Sequence, residues 1–112
     1  MNIEKAKAQM RKGVLELCTL AIIAENDAYA SDIIEKLKSS DLIVVEGTLY
    51  PLLTRLKNDG LLQYRWEEST SGPPRKYYQL TEEGESSLVS LKSSWVELTS
   101  AVEKIISKNS KG

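Results

Sequence analysis

The segment EGTLYPLLTRLKNDGLL at positions 46–62 leaves this chain few folds to choose from. Leu49, Leu52, Leu53 and Leu56 recur at i, i+3, i+4 and i+7, the stripe of an amphipathic helix that must bury one side. Opposite the stripe stand Gly47, Tyr50, Pro51, Thr54, Arg55 and Asn58. That face combines a small approach point, a phenol, a cation, a hydroxyl and an amide, groups suited to phosphates and base edges. Asn58, Asp59 and Gly60 end the helix, with Gly60 fitted to the left-handed position beyond a C-cap. A start at Glu46 puts Pro51 near the limit of the first turn, and Thr48 as N-cap relieves that tension.

The period then changes. Leu62, Tyr64 and Trp66 alternate with Gln63, Arg65 and Glu67, and Lys76, Tyr78 and Leu80 alternate with Arg75, Tyr77 and Gln79. Two half-buried strands joined by the turn-rich ESTSGPP segment at 68–74 account for the pattern. A helix that runs straight into a hairpin with a basic outgoing strand is the winged-helix arrangement. Trp66 reads as packing within the wing. Tyr77 and Tyr78 are adjacent, so one faces the packed side and the other the outside, in an order the pattern leaves open.

Upstream, residues 4–25 read as a long helix with Met10, Val14, Leu17 and Ala21 on one stripe and enough apolar residues at 15–24 for burial on several sides. ENDAYA at 25–30 makes a turn, and Ser31 or Asp32 caps a second helix carrying Ile33, Ile34 and Leu37, with Asp32 and Glu35 at capping-box spacing. Residues 39–41 break that helix, and 42–45 read as a short strand or extended segment able to pair with the hairpin. Downstream, Thr81 followed by Glu82 and Glu83 caps the last helix. Its apolar positions Leu88, Leu91, Trp95, Leu98, Val102 and Ile105 are spaced 3, 4, 3, 4, 3, the a/d stripe of a helix packed along another helix. The polar tail after Lys108 is expected to fray. The expected fold is mainly α with a small β hairpin. It comprises a winged helix-turn-helix over residues 1–81, including the N-terminal helix, and a long dimerisation helix over 82–112. A winged-helix unit has its core without that arm, so the stripe is assigned to a homodimer interface; packing on its own domain is the alternative.

Several chemistries are excluded by composition. Among 112 residues there is no histidine and one cysteine, Cys18, which rules out the usual zinc sites, histidine-based triads and an internal disulfide. Cys18 lies in the apolar run at 14–24 and reads as a small buried hydrophobe, since a redox thiol needs exposure and a nearby cation. The 16 acids are dispersed, with no glycine-rich phosphate loop, so no catalytic residue, metal or cofactor is expected. The apolar run is interrupted by Glu16 and too short for a bilayer, and the N-terminus lacks the features of a cleavable signal; a cytoplasmic protein with no membrane partner is expected. A formal net charge of -1 does not advertise nucleic-acid binding, but the charges are segregated. Lys5, Lys7, Arg11 and Lys12 crowd the start, Arg55, Lys57, Arg65, Arg75 and Lys76 follow the helix and wing, and most acids lie between or after them. Such segregation permits a basic face on a mildly acidic protein.

Together GTLYPLLTRLKNDGLL and GPPRKYYQLT, in this order and spacing, resemble the paired signature of the PadR family of bacterial transcriptional regulators, in its short form with a single C-terminal helix. The likeness extends over roughly residues 12–106. The resemblance implies a dimeric winged-helix repressor in which a recognition-helix tyrosine and wing cations approach DNA; the matching positions are Tyr50, Arg75 and Lys76. With the readings above, the expected contacts to a double-stranded operator are Lys5, Lys7, Arg11, Lys12, Gly47, Thr48, Tyr50, Pro51, Thr54, Arg55, Asn58, Arg75, Lys76 and Tyr77. Tyr50 also fits the rim of the core, and Arg55 also fits a pair with a neighbouring acid. Some multidrug-sensing relatives stack flat aromatic ligands on a tryptophan placed like Trp95. An indole is wide for a regular two-helix seam, so Trp95 either packs in the dimer or, with Met10 and Val14, lines a slot for a small aromatic effector. Thr99 one turn later, in place of an acid, disfavours cationic ligands. The competing function is a winged-helix protein-interaction subunit without specific DNA binding, which would expose apolar or acidic residues where this chain has Thr, Tyr, Arg, Lys and Asn.

Overall fold

The leucine stripe is the centre of the molecule. Leu49, Leu53 and Leu56 are fully buried and Leu52 half-buried on α3 (Glu46–Asn58). Around this helix the computed structural model, which describes residues 1–109, places α1 (Ile3–Glu25), α2 (Ala30–Ser39), strands β1 (Leu62–Ser69) and β2 (Gly72–Leu80), and α4 (Glu82–Asn109). Residues 110–112 of the tail expected to fray lie outside the described residues. The fold is mainly helical with one antiparallel hairpin as the wing. Leu20 and Ile23 of α1, Ile33 and Leu37 of α2, and Leu62, Tyr78 and Leu80 of the hairpin close over the stripe.

Helix ends explain how the short elements turn. After α3, Gly60 takes φ 80°, its N–H bonds the Lys57 carbonyl at 3.0 Å, and the Leu61 N–H bonds the Leu56 carbonyl at 2.9 Å. This is the two-bond left-handed cap that sequence placed at Gly60. The same cap ends α2, with Asp41 at φ 66° and the Leu42 N–H on the Leu37 carbonyl at 2.8 Å. Aspartate tolerates this conformation better than most residues, so no glycine was there to signal it.

Three local expectations change. The N-cap of α2 is Tyr29, not Ser31 or Asp32; Asp32 stands in the first turn, and its carboxylate accepts from the Tyr29 N–H at 3.0 Å. Residues 42–45 form no strand, and the hairpin is extended by Ala28, which exchanges 3.0 Å and 2.8 Å backbone bonds with Tyr78. The α1–α2 turn reaches β2 first, while 42–45 run into α3 with Val44 buried and Ile43 and Val45 exposed. Finally, α3 begins at Glu46 with Val45 as N-cap, so Thr48 lies inside the helix and Pro51 falls in the second turn. The Gly47 carbonyl there loses its helical donor, and because Gly47 is exposed to solvent the loss is tolerated.

The last helix is fastened to the rest by one hydroxyl. Thr81 Oγ1 donates to the Gly60 carbonyl at 2.6 Å and accepts from the Gly84 N–H at 3.0 Å, while the Thr81 N–H bonds the Leu61 carbonyl at 3.1 Å. Gly84 is buried against this turn, and a methyl group there would run into the Leu61 carbonyl. Leu88, expected at a dimer interface, is only 5% exposed and belongs to the core of its own chain; about two helical turns past Thr81 it still faces inward. Leu91 is half-buried on the same core. Beyond Leu91, α4 leaves the core, and the molecule extends to 59 × 31 × 22 Å. We expect Gly84→Ala to destabilise the chain by about 1–3 kcal/mol, because backbone cannot yield as a side chain does and the clash outweighs alanine's helix preference. Urea denaturation at fixed protein concentration measures this, and an unchanged midpoint would show that the joint is loose.

Candidate nucleic-acid interface

The outward face of α3 is a ridge between two grooves. Gly47, Thr48, Tyr50, Pro51, Thr54, Arg55 and Asn58 are all exposed. On one flank Gly47, Thr48 and Pro51 share a groove of about 500 Å³ with Arg11 and Lys12 of α1. On the other, Tyr50 meets the wing across a cleft of about 420 Å³, and Thr54 and Asn58 line a small pocket with Tyr64 and Lys76. The ridge and its two basic flanks are the arrangement expected of a surface that receives a duplex.

The individual cations differ in what already holds them. Arg55 bonds Glu16 of α1 at 3.2 Å, so it takes the acid-paired role that its sequence position also allowed. Lys7 lies 3.7 Å from Glu4, and with Lys5 stands further toward the free end of α1 than Arg11 and Lys12. Arg65 donates to Glu67 at 2.8 Å and lies 4.0 Å from Asp27. Its hydrogen bond to Glu67 is the main reason that its pKa is raised. Arg11, Lys12, Lys57, Arg75 and Lys76 form no ion pair among the described residues. These five flank the ridge.

Aromatic rings organise the wing. Lys76 faces Trp66 across the strands and lies 4.6 Å from the Tyr64 ring centre and 5.5 Å from that of Trp66. Trp66 is 61% exposed, so it is a platform on the wing surface and does not fill a core as expected. The open orientation of the tyrosine pair is settled: Tyr78 points into the core, and Tyr77 is half-buried with its ring against Tyr29 at 4.8 Å and Arg65 at 4.6 Å. Tyr77 thus stands as a spacer between the Tyr29 ring and Arg65, with part of its surface still exposed. Burial pushes the Tyr78 phenol up, with smaller contributions from Tyr50 and Tyr64, and burial also pushes the Cys18 thiol up. A thiol so shifted holds less thiolate at neutral pH, as a packing residue does.

Tyr29, Tyr64 and Trp66 were missed as site residues. The cross-strand position of Trp66 opposite Lys76 was readable from the strand pattern, but nothing in the sequence brings Tyr29 to the wing without the Ala28–Tyr78 bridge. Trp95 is 42% exposed on the free half of α4, Met10 is exposed on α1, and Val14 is half-buried. The Thr99 hydroxyl turns back onto the Trp95 and Val96 carbonyls at 2.9 and 3.1 Å. Among the described residues no acidic or cysteine cluster is arranged to hold a metal, and no helix is long and apolar enough to cross a membrane.

Residues 19–90 match the model of the transcriptional regulator PadR-like family. The chain belongs to that family. It is 63% identical to a PadR-like transcription factor from Bacteroides fragilis, over 90% of this chain and 98% of that one, with a TM-score of 0.76. A PadR family regulator from Eggerthella lenta is 31% identical, with coverage of 93% and 91% and a TM-score of 0.85. A PadR-like regulator from Bacillus cereus is 37% identical, with coverage of 88% and 96% and a TM-score of 0.76. This PadR-like chain is thus a transcriptional regulator and not an enzyme. The family match ends at Ser90, close to where α4 leaves the core.

Proposed function

We propose that the chain is a homodimeric, cytoplasmic repressor that reads a pseudo-palindromic operator through α3 and the wing. The supporting observation is the grouping of Arg11, Lys12, Lys57, Arg75 and Lys76 on the two flanks of α3, where they form no ion pair among the described residues, while Arg55 and Arg65 beside them are held by acids. Arg11, Lys12, Arg75 and Lys76 neutralise phosphates, with Lys5 and Lys7 adding charge further out. Tyr50 gives its hydroxyl to the backbone, and Gly47, Thr48, Pro51, Thr54 and Asn58 face the base edges of the major groove. A bound dimer acts by occupying its site, hence repression.

Replacing Arg75 and Lys76 together by alanine should weaken binding to every duplex and flatten the slope of log affinity against log salt by about two units. Titrations of labelled duplexes from the region upstream of the gene, read by fluorescence anisotropy, measure both. An unchanged slope removes the wing from the mechanism. If the parent chain retains no duplex even at low salt, the competing reading as a protein-interaction subunit takes its place.

The dimer is motivated by two unpartnered apolar surfaces: Trp95, Leu98, Val102 and Ile105 on α4, continuing from the half-buried Leu91, and Ile3 and Met10 on the first half of α1. A second copy related by a twofold axis covers both surfaces and sets two α3 helices at adjacent half-sites. Leu98→Asp puts a charge in that seam and should give a folded monomer or an unfolded chain by sedimentation velocity and circular dichroism. A folded dimer at the parent's mass would remove the stripe from the interface.

The same reading gives Trp95 a second role. Two symmetry-related indoles at one level of a helix pair can wall a slot for a flat aromatic effector, with Met10 and Val14 at its apolar ends. Such a ligand relieves repression only by binding the DNA-incompetent dimer better than the competent one. Titration with planar aromatic compounds should quench the parent's tryptophan fluorescence more than that of Trp95→Ala, and should lower operator affinity. Equal quenching in the two proteins makes Trp95 a packing residue.

A further inference from the structure

Two arginines stand at the ends of a ladder of rings. Arg75 lies 4.0 Å from the Tyr29 ring centre, Tyr29 lies 4.8 Å from Tyr77 at 54°, and Arg65 lies 4.6 Å from Tyr77. The ends differ in what else they hold. Arg65 gives its Nε–H to Glu67 and is backed by Asp27, whereas Arg75 forms no ion pair among the described residues. A guanidinium over a ring keeps its in-plane N–H groups free at the edge. Arg75 lines the cleft between the wing and the first turns of α2 and α3, with Tyr50 and Lys76, where two cations face the single carboxylate of Glu46.

The backbone on which the Tyr29 ring is mounted is unusually well fixed. Its N–H is held by Asp32 at 3.0 Å, its carbonyl accepts from the N–H groups of Asp32 and Ile33 at 3.0 and 3.2 Å, and its neighbour Ala28 is tied to Tyr78 by two backbone bonds. Arginine is a long side chain with much rotamer freedom, which is lost when it meets a phosphate. A ring that already holds the guanidinium removes part of that loss before DNA arrives.

We propose that Tyr29 is the positioning residue of the wing: its ring holds the Arg75 guanidinium with an open edge toward a DNA phosphate seated in the cleft between wing and α3. The proposal rests on the DNA-binding reading above. The face of the ring does the work, so the phenol hydroxyl is dispensable and phenylalanine replaces tyrosine without loss.

The test compares Tyr29→Phe, Tyr29→Leu, Arg75→Ala and the double variant Tyr29→Leu/Arg75→Ala, as full-length proteins binding a duplex selected by the parent chain from a random pool. Tyr29→Phe should bind within about twofold of the parent, and Tyr29→Leu about five- to tenfold more weakly. In the Arg75→Ala background Tyr29→Leu should cost less than about twofold, because nothing is left to position. Equal losses in both backgrounds, or a Tyr29→Phe variant as weak as Tyr29→Leu, would overturn the proposal. Should Tyr29→Leu fail to fold, proton NMR of the free parent decides. Arg75 side-chain resonances, identified by their loss in Arg75→Ala, should be shifted by the ring current and remain shifted in Tyr29→Phe; unshifted resonances overturn the proposal. Failure of the DNA reading looks different. There the parent selects no duplex, or Arg75→Ala binds as the parent does, and the proposal falls with it even when the ring-current shift is present.

Discussion

A single hydroxyl holds this molecule's parts in register. Thr81 Oγ1 reaches the carbonyl that caps α3 and receives the N–H that begins α4, while its own backbone N–H bonds Leu61. Recognition helix, wing and long arm all meet within these few bonds, and Gly84 leaves the room for them to close. Side-chain oxygens at N-caps are worth about a kilocalorie as helix starters. Here the same oxygen also fixes the direction in which α4 departs, which local helix stability alone would leave free.

The surface of α3 is built on the same economy of anchoring. Leu49, Leu53 and Leu56 fix the inner side, so the outer side is presented to solvent, with Arg55 held by Glu16. On its flanks some cations are tied down by acids and others are left open, and the distinction follows from which acids the fold brings near. Glu16 lies far from Arg55 in sequence yet bonds it across two helices, and Asp27 meets Arg65 only because the α1–α2 turn joins the hairpin edge. Charge counted along the chain therefore overstated the free cations of the wing by one, Arg65, and those of the ridge by one, Arg55.

What could be read from sequence was what periodicity and end signals encode. The α3 stripe, the hairpin, Gly60 beyond its cap, Thr81 as the start of α4 and the long first helix all follow from local spacing, and each stands in the structure. What could not be read depended on partners distant in sequence. The extra pairing of the hairpin went to Ala28 in place of residues 42–45, Trp66 lies on the surface, and Leu88 looks inward although the heptad positions from Trp95 onward look out. Tyr29 is the plainest instance, a tyrosine in a turn segment whose role exists only once a bridge sets it beside Arg75. The start of α3 was ambiguous for another reason: Pro51 argued for a later start, and an exposed carbonyl at Gly47 made the earlier one affordable.

The arm has a mechanical consequence. α4 is 28 residues long, and at about 1.5 Å per residue its tip stands about 42 Å from the Thr81 joint. Its first ten residues are held on the core through Leu88 and Leu91, so the free part is about 27 Å long, and a bend of about 5° beyond Leu91 carries the tip through about 2 Å. A lateral displacement far out on α4 therefore corresponds to only a few degrees of bend above its base, where Thr81 is hydrogen-bonded to Gly60 and Leu61 just beyond the end of α3.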